Sequence, residues 1–242
     1  MMTKYGQFCP VARSLEILGD RWTLLIVREM LLGMRHFNDL ERGLPGISRP
    51  LLAQRLRQLQ KAGVVEKRVN GGQKSTEYVL TQAGRELEGV ITALLIWGEA
   101  WAFDEPAPAE LDPVLLMWRL RNDVRPDRLP ARRIVVQFDL RVPQMGDFWL
   151  ILTTDDVTLC VTDPGYATDV LVTADLAALY KLYWGRIRYD EAIANYGVRV
   201  EGMPQLVEAF PHWFAWQAAT GTAAANRART ARLAAAAAAG EE

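Results

Sequence analysis

Apolar positions recur at helical spacing through the first hundred residues. Val11, Leu15 and Leu18 lie four and three apart and predict a helix from Pro10 to Gly19, where glycine stops it. Asp20 is expected to cap the next helix, Trp22 to Leu32. Its Leu24, Leu25, Ile26, Val27, Met30 and Leu31 are dense enough to bury it nearly all round, and Gly33 ends it. Phe37 to Arg42 reads as a short helix, and Gly43 to Ser48 as a turn broken by Gly43, Pro45 and Gly46. Ser48 is placed to cap a helix running to Ala62, with Pro50 tolerated in the first turn and Gly63 as the stop. Val64 to Val69 and Thr76 to Leu80 are β-capable runs joined by the polar stretch Asn70 to Lys74, a hairpin. Thr81 then caps one long helix to about Phe103. Its stripe of Leu87, Val90, Ile91, Leu94, Leu95, Trp97 and Trp101 is wider than a small core needs, which points to a dimer seam over residues 82–103.

The stretch Asp104 to Glu110 (DEPAPAE) breaks this pattern, stiff with proline and flanked by acids. Beyond it, Pro113 to Val124 reads as an amphipathic helix. Strands follow at Arg132 to Leu140, Asp147 to Thr153 and Val157 to Thr162, with Ile134, Val136, Phe138 and Leu140 on one face of the first. Asp169 to Thr173 and Val198 to Glu201 are two more strands, and Ala174 to Trp184, Asp190 to Tyr196 and Pro204 to Phe214 are helices. The expected fold class is multidomain: a mostly α unit with a β-hairpin over 1–104, a linker over 105–111 and an α+β unit over 112–217. Residues 218–242 are an alanine-rich tail to which no function is assigned.

Charge changes the picture more than composition does. The chain is balanced, with 28 Lys and Arg against 29 Asp and Glu, yet Arg42 to Lys74 holds eight basic side chains and only one acid, Glu66. Such a local footprint fits a polyanion. Two cysteines, Cys9 and Cys160, supply neither a disulfide framework nor a zinc set. Nucleophile elbows, metalloprotease helices, dinucleotide loops and P-loops are all missing from the sequence, so neither an enzyme, a cofactor nor a metal is expected. Without a secretory pattern or a twenty-residue apolar run, the expected place is the cytoplasm, off the membrane.

The helix after Ser48 separates into two faces. Leu52, Leu56 and Leu59 point inward, while Arg49, Gln54, Arg57, Gln58 and Lys61 lie outside with Arg55 at a flank. Arginine and glutamine suit guanine and adenine edges in a major groove, and Lys74 on the hairpin tip suits a phosphate. Ser48, Arg49, Gln54, Arg55, Arg57, Gln58, Lys61 and Lys74 are therefore the candidate contacts to double-stranded DNA. The competing reading, a solvated charged face, does not explain why the bias is so one-sided.

Cys9-Pro10, Gly19-Asp20-Arg21-Trp22, Arg35-His36-Phe37, Gly46-Ile47-Ser48 and the Leu-Arg-Gln-Leu before Gly63 occur in order, followed by Tyr78, Leu80, Thr81 and Gly84. In this, Cys9 to Trp101 resembles the HxlR-type winged-helix transcriptional regulators. The resemblance implies a homodimer on palindromic operators. It also makes Cys9, beside a helix start that favours thiolate, a candidate redox sensor; the alternative is a half-buried side chain that only packs. Cys160, in a strand, reads as core. Val170 to Leu176, Asp190 to Ile193 and Val198 to Gly202 resemble sterol-carrier-protein-type domains, which implies a sheet and helices around an apolar tunnel. Trp118, Phe148, Trp149, Trp184, Phe210 and Trp213 then either line a pocket for a small apolar ligand or form plain core. The expected function is a dimeric DNA-binding regulator, modulated by such a ligand or by thiol oxidation. The rival is a lipid or acyl carrier whose basic unit is only an interaction module.

Overall fold

The structure, a computed structural model, describes residues 4–69, 76–142 and 145–216. Its contacts divide the chain into Met1–Leu95 and Ile96–Glu242.

The first unit is built from α1 (Pro10–Leu18), α2 (Thr23–Leu31), α3 (Phe37–Arg42), α4 (Arg49–Lys61), the antiparallel pair β1 (Val65–Val69) and β2 (Thr76–Leu80), α5 (Gln82–Arg85) and the first part of α6 (Glu88–Trp101), which carries the chain across the division after Leu95. Leu52, Leu56 and Leu59 of α4 are all but fully buried and meet Ile26 and Val27 of α2, Leu40 of α3, and Val64, Val65 and Leu80 in one core. Each such leucine contributes about 1.5–3 kcal/mol by leaving water. Gly63 at φ +73 turns the chain from α4 into β1. The Thr81 hydroxyl fastens that corner: it donates to the Gly63 carbonyl at 2.7 Å and accepts from Gly84 N at 3.2 Å.

Several expected details differ. Asp20 does not cap α2; Trp22 occupies the N-cap position with φ +79, and the Asp20 carboxylate turns to Arg55 instead. Ser48 stands at the N-cap of α4, but its side chain makes no capping hydrogen bond. The helix expected from Thr81 to Phe103 is two helices. Its turn tightens at Leu87, whose N–H reaches Gly84 O at 3.3 Å; Gly84 itself lies hard against Val64 O, where a Cβ would sit at 2.3 Å. Helix α2 is also less buried than its composition suggests, since Leu25 and Leu32 are exposed.

The second unit opens with α7 (Pro113–Asn122), capped by the Asp112 carboxylate, which accepts from Val114 N and Leu115 N at 2.9 and 3.1 Å. Strands β3 (Ile134–Asp139), β4 (Phe148–Leu152), β5 (Val157–Cys160), β6 (Val170–Thr173) and β7 (Arg199–Gly202) form a five-stranded sheet in the order β5-β4-β3-β6-β7. Only the β3–β6 pair is parallel. Helices α8 (Leu176–Tyr183), α9 (Tyr189–Asn195) and α10 (Pro204–Ala209) complete the unit. The last helix stops short of the expected Phe214: Pro211 has no N–H to give, and the chain passes into a 3-10 turn over Phe210–His212. Ile134, Val136, Phe138 and Leu140 share the buried face as the alternation predicts.

The acidic segment after α6 is held firmly within this second unit. Phe103 meets Trp184 edge-on with ring centroids 5.6 Å apart, and Arg186 lies over the Phe103 ring. Glu105 pairs with Lys181 at 2.7 Å and Arg186 at 3.6 Å. Hydrogen bonding and attraction from Lys181 hold its carboxyl below the usual range. Tyr180 donates to Asp112 O at 2.9 Å; burial pushes its phenol up to about 12.

Candidate nucleic-acid interface

Helix α4 presents a stripe of Pro50, Gln54, Arg57 and Lys61, spaced four, three and four residues apart and all exposed. Among the described residues, the side chains of Gln54, Arg57 and Lys61 make no hydrogen bond or ion pair, and Ser48 at the helix entrance is exposed. This stripe lies opposite the three buried leucines. From Gln54 to Lys61, the last residue of the helix, it is a row of long donors with nothing to bind inside the protein.

Three of the other expected contacts are used internally. Arg55 donates to Asp20 Oδ2 at 2.7 Å, to Arg21 O at 3.1 Å and to Gln58 Oε1 at 2.7 Å, and its side chain is only 14% exposed. It therefore bolts α4 to the α1–α2 corner and takes Gln58 with it. Arg49 pairs with Glu41, reaches Asn38 Oδ1 at 3.2 Å and stacks over Phe37 at 4.9 Å. It ties the start of α4 to α3 but keeps 61% of its side chain exposed, so its outer edge still faces solvent. Exposed Lys67 and Arg68 extend the basic character onto β1, while Lys74 lies outside the described residues.

One supporting residue was missed from sequence. Glu29 is 2% exposed in α2, hydrogen-bonded by Arg28 at 2.9 and 2.5 Å, and its carboxylate presses on Gly43, where a Cβ would come within 2.2 Å. It buttresses the turn that launches α4. A carboxylate inside the run TLLIVREML was the available signal.

Cys9 is the N-cap residue of α1, half-buried, and Arg13 N donates to its carbonyl at 3.0 Å. The second unit splits the expected pocket residues. Phe148, Phe210 and Trp213 are within its core, where Phe210 is ringed by Phe138, Tyr189, Trp213, Phe214 and Trp216. Trp149 alternates to the opposite face of β4, Trp118 is buried under Arg121, and half-buried Trp184 packs on Phe103 and Tyr183. These six side chains therefore do not converge on one wall. Cys160, half-buried, pairs across the sheet with Trp149. Among the described residues, no helix is long and apolar enough to cross a membrane.

Comparison with known proteins bears on the first unit. Residues 17–106 match the HxlR-like helix-turn-helix family. An uncharacterized HTH-type transcriptional regulator of Synechocystis is 34% identical over 107 residues, 44% of this chain and 79% of that protein. The chain belongs to the HxlR-like helix-turn-helix family. An uncharacterized HTH-type transcriptional regulator of Mycobacterium tuberculosis is 45% identical over 92 residues; those residues are 38% of this chain and span 58% of the relative's length. Among solved structures, the reduced form of the transcriptional regulator YodB from B. subtilis is 29% identical, covering 40% of this chain and 96% of that one at a TM-score of 0.35. The Synechocystis and Mycobacterium relatives are both named as HTH-type transcriptional regulators.

Proposed function

We propose that this protein is a homodimeric transcriptional regulator that reads a palindromic operator through α4. One observation carries the reading: Gln54, Arg57 and Lys61 form an exposed, internally unused donor row on the helix that follows the turn of a helix-turn-helix. Membership in a family whose relatives are named as HTH-type regulators supports it. Gln54 and Arg57 read base edges; Ser48, Lys61, the outer edge of Arg49 and Lys74 of the hairpin contact phosphates. Arg55 and Gln58 act at one remove by fixing the angle of α4.

The dimer forms through α6. Val90, Leu94, Leu95, Ile96, Trp97 and Trp101 are between 42% and 60% exposed on one fourteen-residue helix with no buried residue, a surface that water alone covers poorly. Two copies joined there place two recognition helices on successive major-groove faces, about 34 Å apart. Oxidation of Cys9, half-buried at the N-cap of α1, is proposed to tune this state. The test is binding of the purified protein to a randomised duplex library. A palindromic consensus is expected; retention without sequence preference contradicts the reading.

A further inference from the structure

The first unit also carries a half-open cavity that the DNA-reading face does not use. It has a volume of about 390 Å³, within the range of small-molecule sites. Met30 and Leu80, 6% and 8% exposed, make its floor, and half-buried Leu31, Met34 and Tyr78 its walls. Gly33, at φ +94, ends α2 and leaves bare backbone at the rim. The rest of the rim is charged. Arg35 and Arg85 stand there against a single carboxylate, Glu88. Arg85 spends one nitrogen on the Leu80 carbonyl at 2.8 Å, which anchors the guanidinium and leaves its other donors available. A shallower hollow of about 610 Å³ continues from Arg85 and Glu88 past Gly89 and Thr92; Glu86, which accepts from Gln82, also lines it.

We propose that this cavity is an effector site for a small apolar carboxylate. The apolar body would lie on Met30, Met34, Tyr78 and Leu80, and the carboxylate would face Arg85 and Arg35, where the rim cations outnumber the acid. Thioether and aromatic walls adapt to such a body, and a charged donor fixes its orientation.

The position also gives the ligand a lever. Tyr78 N donates to Arg35 O at 2.8 Å, so the cavity spans the joint between β2 of the hairpin and the connection from α2 to α3. A molecule seated there clamps the wing to the helices that carry α4, and also touches the start of α6. This regulatory part rests on the DNA-reading assignment; the binding part does not.

The test uses the full chain with labelled methionine methyl groups, seven in all, titrated with phenylacetate, phenylacetamide and phenethylamine. Phenylacetate is expected to shift the Met30 and Met34 signals saturably and to leave Met117, in the other unit, unmoved. The amide and the amine should bind at least about tenfold more weakly, and so should phenylacetate to Arg85→Gln, because a charged hydrogen bond is lost. No saturable shift at Met30 and Met34 overturns the site, as does equal binding of all three probes. Saturating phenylacetate should then change operator affinity by about fivefold or more, with the reciprocal change in phenylacetate affinity on DNA. Unchanged affinity overturns the regulatory part. A protein that binds no DNA at all overturns the operator reading while the methyl shifts still decide the cavity.

Discussion

The two units spend their side chains differently. In the second, twenty-five buried residues form a single core among the described residues, and the charges around Lys181, Arg186 and Glu105 pair with one another. In the first, the core is twelve of the described residues and the basic row on α4 has no internal partner, while α6, which runs across the division between the units, has no buried residue. Stability and recognition draw on the same residue types. What separates them is whether each side chain has already been satisfied within the fold. The first unit leaves donors and apolar area over, and these are the places where DNA, a second copy and a ligand are proposed to bind. The second unit leaves little over, and its aromatic side chains, which from sequence suggest one pocket, are spread through the core and on both faces of the sheet.

The comparison can be broken most sharply with salt. If the unpaired cations of the first unit meet phosphates, a dimer making about 6–10 such contacts should lose about three to five decades of DNA affinity between ~50 and ~200 mM salt. A flat salt response would remove the electrostatic distinction between the units. Next in size is Phe210→Ala, which empties a site packed by five other rings and should cost about 3–5 kcal/mol of the second unit's stability by denaturant unfolding. Below the unfolding midpoint, phenylacetate should still shift Met30 and Met34 in this variant; their silence would mean that the units are not independent. On α6, Leu94→Glu places a charge in the seam and should give monomers by sedimentation, with specific DNA binding lost although α4 is untouched. An unchanged dimer would move the seam elsewhere.

Much of this was legible in the sequence, for reasons that differ by element. The three-four spacing of Leu52, Leu56 and Leu59 and the two-residue alternation from Ile134 to Leu140 placed α4 and β3 and their buried faces, because periodicity reports burial directly. Long-range partners were not legible. Nothing near Arg55 says that its guanidinium turns to Asp20, thirty-five residues away, so an arginine held inside the fold read as a DNA contact. Arg49 was hidden likewise by Glu41 and Asn38. The close approach of Gly84 to Val64 is also a tertiary fact with no local signature. The cavity at Met30 and Tyr78 joins segments almost fifty residues apart and has no local signature.

The smallest expected effect concerns the clasp on the acidic segment. Because the Glu105 carboxyl is held below its usual range when folded, its contribution is present above the unfolded value near 4.5 and is lost as pH falls through the lowered folded value. The carboxylate is largely exposed, so solvent screening keeps the pair to about 0–1 kcal/mol. Glu105→Gln should flatten that acid limb slightly in pH-dependent unfolding and leave neutral DNA affinity unchanged.

The most direct test of the difference between read and bolted side chains on α4 is a matched pair of titrations at one fixed salt concentration. Wild type, Arg57→Ala and Arg55→Ala are titrated against the selected palindrome and against copies changed at one base pair per half-site. Arg57→Ala should weaken the selected site by about 1–3 kcal/mol and lose preference at one position, as the proposed base contact requires. Arg55→Ala should lower thermal stability and weaken all sequences together. If Arg57→Ala binds the palindrome and its changed copies with wild-type affinity and preference, α4 does not read DNA through its exposed row.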